Sequence, residues 1–390
     1  MKKLILVALF VNFTHTIAST NYCDQKNDPI AKAMQNAIGK KEIPGGVVLI
    51  THQGKTIYQK AFGKVSLKPY KTTAKEGSMY DLSSLTKLYT ATLIMRLHQK
   101  RVLDVKKPVS FYIPSFRRLD KAAITIEQLL THRSGLPAES KISHYSTDIE
   151  ATIEHIAAVP LKAAPGEKFI YSDLGPIVAG FLAEQVTGKP LGMILKDYVL
   201  LPLNLYQTFM FPPPRFFEQI APSNSADGKL LHGRVYDPRA YAMGGIAGNA
   251  GLFTVAADVA KFAQIFLQKG MFEGSQFLSE QSVAMMTTAP SDMPVNEKRG
   301  IGFDIDTKYS SPRGELFART SFGHTGFTGT SVWIDSNSQT IVVLLTNYLH
   351  PDGKNCLHPD GKGNISSLRH EIGTLAAKIV QKPAALKAKK

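Results

Sequence analysis

A short polar segment, Ser83-Ser84-Leu85-Thr86-Lys87, runs directly into an apolar stretch typical of a helix that ends near Gln99. If Ser84 and Lys87 both lie in the first turn of this helix, their spacing of three residues places hydroxyl and amine on one face. A neutral lysine can take the proton of a serine hydroxyl, which is otherwise a weak nucleophile. The segment is equally compatible with a capping serine followed by a solvated lysine, so by itself it leaves both interpretations open.

The first residues have the layout of a secretory signal peptide, which we assign to residues 1–19. Lys2-Lys3 precede a short apolar run from Leu4 to Phe13, and small residues follow at a cleavage point near Ala18. The run is too short to span a bilayer, and we find no second hydrophobic run that is long enough. We therefore expect a soluble protein that is secreted or periplasmic.

The 390-residue chain has a formal net charge of +15, part of it in lysines of the C-terminal tail. A solvated surface is the simplest interpretation of this charge, and attraction to an anionic envelope or cell-wall polymer is a second one. We expect no nucleic-acid partner, because no nucleic-acid-binding module accompanies the charge. The two cysteines, Cys23 and Cys356, either pair in an oxidising compartment or remain free.

Hydrophobic patterning predicts strands at both ends of the chain and a region of helices and loops between them. Val47–Thr51 and Thr56–Phe62 are expected to form a hairpin, and Ser331–Asp335 to pair with Thr340–Asn347 across a turn. The prediction is one catalytic domain, residues 24–385, with a helical lobe (about 81–229) inserted into an α/β lobe (about 24–80 and 230–385). Helices are expected at Ile30–Ile38, from Thr125 onward, at Leu174–Val186, at Val255–Gln268 and at Ile365–Gln381.

Several further features have a structural interpretation. The glycine-rich segment 244–251 suits a buried turn beside a site, since glycine permits close backbone approach. We interpret His132-Arg133 as part of a loop that braces the helical lobe, and Trp333 as a core residue of its strand. The hexapeptide Leu349–Lys354 recurs as Leu357–Lys362, a loop duplication without an assigned role in which two His-Pro-Asp units could hold a metal. No Cys/His cluster with ligand spacing supports a metal elsewhere.

Three motifs follow one another along the chain: Ser84-x-x-Lys87, Tyr171-Ser172-Asp173 and His324-Thr325-Gly326. With these motifs the chain resembles the penicillin-recognising serine hydrolases. The resemblance is to the branch that includes class C β-lactamases and D-alanyl-D-alanine carboxypeptidases, of the penicillin-binding protein 4B type. It extends over about residues 30–380 and also includes Leu129–Leu136, Pro165-Gly166-Glu167 and the glycine-rich segment.

The resemblance implies an α/β (α+β) fold of the β-lactamase/transpeptidase type, an antiparallel sheet flanked by helices with an inserted helical lobe. It also implies that Ser84 attacks a carbonyl and becomes acylated, and that Lys87 accepts its proton. Tyr171 would share this work and return a proton to the leaving group. The backbone N–H groups of Ser84 and Phe327 would form the oxyanion hole. Such a mechanism requires no cofactor.

The residues implied to bind substrate include two departures from the family pattern. Asp173 replaces the usual asparagine, and its charge would favour protonated Lys87. This predicts either that Tyr171 carries more of the proton transfer or that Asp173 selects a cationic substrate group. His324 stands where penicillinases generally have lysine, so we expect carboxylate binding that weakens as pH rises through the pKa of the histidine. The implied substrate-binding residues are Asp173, His324, Thr325 and Gly326.

The expected function is that of an exported serine hydrolase that forms an acyl-enzyme on Ser84. Its first candidate activity is D-alanyl-D-alanine carboxypeptidase action on peptidoglycan stem peptides, with peripheral envelope association as a further expectation. An esterase or β-lactamase is an alternative within the same chemistry. A non-catalytic scaffold that binds cell-wall fragments is an alternative from a different class.

Overall fold

The computed structural model describes residues 28–118, 120–352 and 365–381. Helices and strands alternate along these residues. The α-helices are α1 (Pro29–Gly39), α2 (Thr86–Gln99), α3 (Ile126–Leu130), α4 (Ile149–Ala158), α5 (Leu174–Thr187), α6 (Leu191–Leu195), α7 (Pro238–Ala242), α8 (Ala256–Leu267), α9 (Glu280–Thr287) and α10 (Ile365–Gln381). The strands are β1 (Gly45–His52), β2 (Lys55–Ser66), β3 (Thr72–Thr73), β4 (Tyr80–Asp81), β5 (Ser223–Asn224), β6 (Leu230–Leu231), β7 (Phe253–Thr254), β8 (Met271–Phe272), β9 (Ser275–Gln276), β10 (Lys298–Arg299), β11 (Asp304–Asp306), β12 (Phe322–Thr325), β13 (Ser331–Asp335) and β14 (Thr340–Thr346).

Eight of these strands form one antiparallel sheet in the order β10-β11-β12-β13-β14-β1-β2-β3. The sheet joins distant parts of the chain at its centre, where β1 pairs with β14. Both predicted strand pairs are confirmed: β1 pairs with β2, and β13 with β14. The β1–β2 hairpin turns at Gln53 and Gly54, with φ of 49° and 74°, which is the backbone conformation that a tight two-residue turn requires.

The central strands are buried on both faces of the sheet. In β1, Val47 and Leu49 belong to one hydrophobic core, while Val48 and Ile50 belong to the other. This alternation follows from the two-residue period of a strand. The smaller core lies beneath α1 and α10 and contains Trp333, whose indole N–H donates to a serine hydroxyl at 2.8 Å. The predicted core position of Trp333 is confirmed.

The larger core lies between the other face of the sheet and the helices, and its centre is α2. This helix packs against α5, α6 and α9, while α8 covers β1, β13 and β14. Almost every side chain of α2 is buried, including Lys87. Because α2 is packed on all sides, the side chains in its first turn, including Lys87, are held in a fixed position. None of the helices within the described residues is long and apolar enough to cross a membrane.

The helix ends have local causes in the sequence. α3 begins with a reciprocal cap in which Thr125 and Gln128 bond each other's backbone N–H groups. α5 ends at Gly188, whose φ of 66° is the left-handed conformation that glycine adopts readily. The patterning does not single out the short helices α4, α6, α7 and α9, and the division into two lobes remains a prediction.

Several predictions fall on the ends of the chain or on the duplicated loop. The signal peptide, both cysteines and the second hexapeptide copy lie outside the described residues. In the first copy, His350 is buried, its Nε2 accepts the N–H of Leu67 at 2.8 Å, and its Nδ1 lies 2.8 Å from the side-chain oxygen of Asn224. Both ring nitrogens of His350 are thus occupied by hydrogen bonds within the protein. Across residues 28–118, 120–352 and 365–381, no group of three His, Cys, Asp or Glu side chains could hold a metal.

Candidate active site

The predicted nucleophile, Ser84, lies in a single 3-10 turn, Ser83–Leu85, that leads directly into α2. Ser83 has a φ of 49°, and its N–H donates to Asp81 Oδ1 at 2.8 Å, which fixes this turn. Lys87 is the second residue of α2, and its Nζ lies 2.8 Å from Ser84 Oγ. The hydroxyl and the amine are therefore in contact, as their spacing predicted.

Lys87 is only 2% exposed and has three close oxygen partners. Besides Ser84, its Nζ contacts Asp173 Oδ1 at 2.8 Å and the carbonyl oxygen of Asn249 at 3.3 Å. Burial alone would lower the pKa of Lys87, but the carboxylate of Asp173 and the neighbouring Tyr171 outweigh it and raise the pKa above its ordinary value. At neutral pH Lys87 is therefore an ammonium ion that donates a hydrogen bond to Ser84.

The second part of the glycine-rich segment, residues 247–251, forms a buried turn beside this pair as predicted, whereas residues 244–246 are exposed or half-buried. In addition to the Asn249 contact, the Gly248 carbonyl accepts the hydroxyl of Thr90 at 2.8 Å, so the turn is bonded to α2. A Cβ at Gly248 would overlap with the carbonyl oxygen of Pro176 in α5. Glycine is needed here because the turn passes between two helices at backbone contact distance.

Tyr171 packs against several rings at the edge of the cleft. Its ring centroid lies 4.5 Å from that of His132 and 5.0 Å from that of Tyr309, and Lys87 Nζ lies 5.2 Å from it. His132 Nδ1 also accepts the N–H of Ser172 at 3.1 Å. His132, which we interpreted as a loop residue alone, thus holds both the ring and the backbone of the middle motif.

Arg133, next to it, points elsewhere. Its guanidinium donates to Asp292 at 2.7 Å and contacts the carbonyl oxygen of Gly166. These contacts agree with the predicted structural role of Arg133 in the loop.

Asp173 lies between two cations. Its Oδ1 contacts Lys87, and its Oδ2 lies 3.7 Å from Nη1 of Arg239 in α7. The side chain does not cap α5. Since both carboxylate oxygens already have a positively charged neighbour, the geometry opposes the version of our expectation in which Asp173 selects a cationic substrate group.

His324 is buried and neutral. Its Nδ1 lies 2.8 Å from the carbonyl oxygen of Thr325 and must donate to it, so Nε2 of the neutral ring carries a lone pair. Burial, followed by the charges of Arg299 and Lys87, holds the pKa of His324 well below its usual range. The expectation that His324 titrates near neutral pH and attracts a carboxylate as a cation is therefore wrong.

The positive charges in this part of the cleft come from Arg299 and Arg369, which sequence reasoning missed. Arg299 is 0% exposed, and its guanidinium lies 5.5 Å from the Tyr171 ring centroid and 3.7 Å from Asp304 Oδ2. Arg369 donates to the carbonyl oxygens of Gly326 and Thr330 at 2.7 and 2.8 Å. Neither arginine belongs to one of the three motifs, so only the fold brings them to the site.

The third motif lies directly against the nucleophile turn. A Cβ on Gly326 would lie 2.5 Å from the carbonyl oxygen of Leu82, so glycine permits this approach. The N–H of Phe327, predicted to be an oxyanion donor, donates to Ser83 Oγ at 3.2 Å. The hydroxyl beside the nucleophile therefore occupies this donor.

The motifs surround an open cavity of about 640 Å³. Phe327 is 64% exposed at its mouth and stacks on Tyr236, with ring centroids 5.5 Å apart. Lys87 and Asp173 are absent from the lining and lie behind Ser84. Residues that line the cavity include Ser84, Tyr171, Arg299, Tyr309, His324, Thr325, Gly326, Phe327 and Arg369.

Comparison with known proteins places the chain in a family. Residues 30–363 match the family model described as Beta-lactamase, and the chain belongs to this family. A protein of Bacillus subtilis (strain 168) named N-acetylmuramyl-L-alanine amidase is 32% identical over 345 residues, which cover 79% of this chain and 78% of the relative. A protein of Escherichia coli (strain K12) named "Putative D-alanyl-D-alanine carboxypeptidase" is 31% identical over 345 residues, 79% of each chain.

Solved structures agree on the fold. A class C β-lactamase from Rhodobacter sphaeroides superposes with a TM-score of 0.70 at 18% identity and covers 91% of this chain and 98% of its own. The predicted fold, an antiparallel sheet flanked by helices in the β-lactamase/transpeptidase manner, is confirmed. The chain is an enzyme of the serine hydrolase class that this family comprises.

Proposed function

We propose that this chain is a D-alanyl-D-alanine carboxypeptidase of the penicillin-binding type that works through an acyl-enzyme on Ser84. The observation that carries the proposal is the 2.8 Å contact between Ser84 Oγ and Lys87 Nζ at the edge of the cavity. The names of the relatives at 31% and 32% identity support a substrate from peptidoglycan. Export to the periplasm or medium belongs to the same proposal, and the pattern of residues 1–19 supports it.

The reaction begins in molecules whose Lys87 has lost its proton. As Ser84 Oγ attacks the carbonyl carbon, neutral Lys87 Nζ accepts the hydroxyl proton. The N–H groups of Ser84 and Phe327 hold the oxyanion that forms, and each donor of this kind contributes about 3 kcal/mol. Tyr171 passes a proton to the leaving amine and recovers one from Lys87, the C–N bond breaks, and an ester remains on Ser84. Water then hydrolyses this ester with the same groups in reverse order.

Positively charged side chains at the cavity would attract a carboxylate at the end of the substrate. Neutral His324 cannot supply this positive charge, whereas the largely buried Arg299 and Arg369 belong to the residues that line the cavity. Charges in a poorly solvated wall act over several ångströms with less screening than in water. Thr325 presents its side chain at the same wall.

A neutral His324 favours ester hydrolysis as a second candidate, because a simple ester has no carboxylate to be recognised there. β-Lactam hydrolysis would use the same acyl-enzyme and differ in how fast water releases it. The three activities are separated by the substrate that turns over, since all begin with acylation of Ser84.

The test is mass spectrometry of the protein after incubation with penicillin, beside a Ser84→Ala control. We expect the mass of one penicillin on the native protein and none on the variant. A peptide that ends in D-alanyl-D-alanine should release D-alanine, and Ser84→Ala should lower the rate at least about thousandfold. If penicillin does not acylate Ser84 and a fluorophosphonate does not phosphonylate it, the chain is a binding scaffold and the proposal is wrong.

A further inference from the structure

Arg239 lies on the far side of Asp173 from Lys87. Its Nη1 is 3.7 Å from Asp173 Oδ2 and 3.5 Å from Asp237 Oδ2, and its Nη2 contacts Glu139. The side chain is only 13% exposed, and Nε has no hydrogen-bond partner among the residues that the structure describes. A guanidinium in this position is desolvated without being fully bonded, and this lowers the stability of the folded protein. Its presence at this cost indicates that the charge has a role.

The middle motif gives a positive charge beside Asp173 a role. The family resemblance implies an asparagine where this chain has Asp173, and a neutral amide would place no negative charge beside Lys87. Asp173 instead forms an ion pair with Lys87 at 2.8 Å, which stabilises the ammonium form. That form cannot accept the proton of Ser84. Arg239 attracts the same carboxylate and repels the ammonium, so it opposes both effects.

The other charged or titratable groups around Lys87 and Asp173 do not replace Arg239. His132 and His324 are neutral, because burial and then the charges of Arg299 and Lys87 hold the pKa of each ring well below its usual range. Burial and Asp173 raise the pKa of Asp237. The groups that face this pair are Tyr171 before α5, His132 after α3, Glu139 and Tyr145 in the following loop, Asp237 directly before α7, Arg299 in β10 and His324 in β12.

We propose that Arg239 is a positioning residue that weakens the ion pair between Asp173 and Lys87. An aspartate in the middle motif is thereby compatible with a lysine that must release its proton. The inference rests on the proposed function of Ser84 and Lys87. It extends that function by naming the residue that compensates for the departure from the family pattern.

The test is the pH dependence of Ser84 acylation by a fluorescent penicillin in the full-length protein. Arg239→Gln should shift the acid limb of the profile upward by on the order of one pH unit, and so slow acylation at pH 7 about tenfold. Asp173→Asn should shift the limb downward. In the Asp173→Asn background, Arg239→Gln should shift the limb upward by less than in the native background, since the ion pair that Arg239 weakens is gone and only its direct repulsion of the Lys87 ammonium remains.

A purely structural Arg239 would give a different pattern. Its removal would then slow acylation equally in both backgrounds and leave the limb in place, which would overturn the inference. An acid limb that stays at the same pH in Asp173→Asn would also overturn the inference. Lys87 would then not be the titrating group, and Tyr171 would accept the proton of Ser84. Arg239→Lys keeps the charge and should restore most of the native profile.

The matched control is Arg313→Gln. Arg313 is also a mostly buried arginine, paired with Asp306 at 2.9 Å, but it does not contact Asp173 or line the cavity. We expect the native profile from this variant, and urea unfolding of each variant checks that the fold is retained.

A second readout does not depend on catalysis. Carbon-13 NMR of labelled lysine side chains, assigned with Lys87→Met, follows the titration of Lys87 directly. Arg239→Gln should raise the pH at which the Lys87 signal moves. If the signal does not respond, the inference is wrong even in an enzyme that acylates; if it responds in a protein that penicillin never acylates, the inference stands and the proposed function fails.

Discussion

Ser83, the residue before the nucleophile, connects the two walls of the proposed oxyanion hole. Its N–H is bonded to Asp81, and its hydroxyl accepts the N–H of Phe327 at 3.2 Å. An oxyanion at this position needs the Phe327 donor. The Ser83 hydroxyl must therefore release it before the tetrahedral intermediate forms.

We predict that Ser83→Ala speeds acylation of Ser84 about two- to tenfold, because one intramolecular hydrogen bond of about 0.5–1.5 kcal/mol no longer competes with the substrate. Stopped-flow measurement with a fluorescent penicillin gives the rate. Ser78→Ala is the matched control, since Ser78 is equally buried and its hydroxyl accepts a backbone N–H from Lys75 outside the catalytic cavity. Slower acylation by Ser83→Ala would mean that this hydroxyl assists the reaction.

His324 and Lys87 show that residue type alone does not determine protonation state. Histidine in the third motif suggests a group that titrates near pH 7, yet burial beside two cations leaves it neutral. Lysine in the first motif suggests a base, yet Asp173 favours its ammonium form. The sequence names the groups, while their charges depend on neighbours that are distant along the chain, such as Asp173 for Lys87 and Lys87 for His324.

The site depends on three elements that meet at backbone distance: α2, α5 and the glycine-rich turn. Gly248 allows the turn to contact α5, and the neighbouring Asn249 carbonyl contacts Lys87. A side chain at position 248 would push these elements apart. Lys87 would then lose one of its oxygen partners.

We predict that Gly248→Ala destabilises the protein by about 3 kcal/mol, because its Cβ overlaps with the Pro176 carbonyl and the packed helix cannot move away freely. Urea unfolding followed by circular dichroism measures the change. Gly39→Ala is the control: it lies at the end of α1 with no atom within 4 Å of the added Cβ, so we expect little change or a small gain. Equal stability of the two variants would contradict the packing argument.

The elements themselves were largely predictable. The β1–β2 and β13–β14 pairs follow from alternation and turn residues. The long helices follow from apolar periodicity with caps such as Gly188, and the start of the short α3 follows from its cap at Thr125. Short pieces such as α7 and β10 carry too few residues for a periodic signal. They nevertheless place Arg239 and Arg299 at the site, which is why these residues were missed.

For the whole molecule, the buried histidines make stability depend on pH. His350 bridges Leu67 and Asn224, and burial lowers its pKa to about 4, below the value of an unfolded chain. The folded state therefore binds fewer protons than the unfolded state below about pH 6.5. The stabilisation from a neutral His350 is fully present above that pH and is lost as pH falls toward 4.

We predict that His350→Gln lowers stability at pH 7 but loses less stability than the native protein between pH 6.5 and 4. The native loss that it avoids is on the order of 3 kcal/mol. Urea unfolding at a series of pH values gives both slopes. Asn224→Ala removes a hydrogen-bond partner of His350 without removing the titrating ring, so it should keep the native slope; parallel curves for native protein and His350→Gln would refute the prediction.

The sequence by itself determined the family, the three motifs and the spacing that brings Ser84 to Lys87, because these features are local or ordered along the chain. The tertiary structure decided what surrounds that pair. Ion pairing raises the pKa of Lys87, burial keeps His324 neutral, and Arg239 reaches Asp173 from another helix. Charge states depend on distance and on removal of water, and neither can be read from positions in a chain.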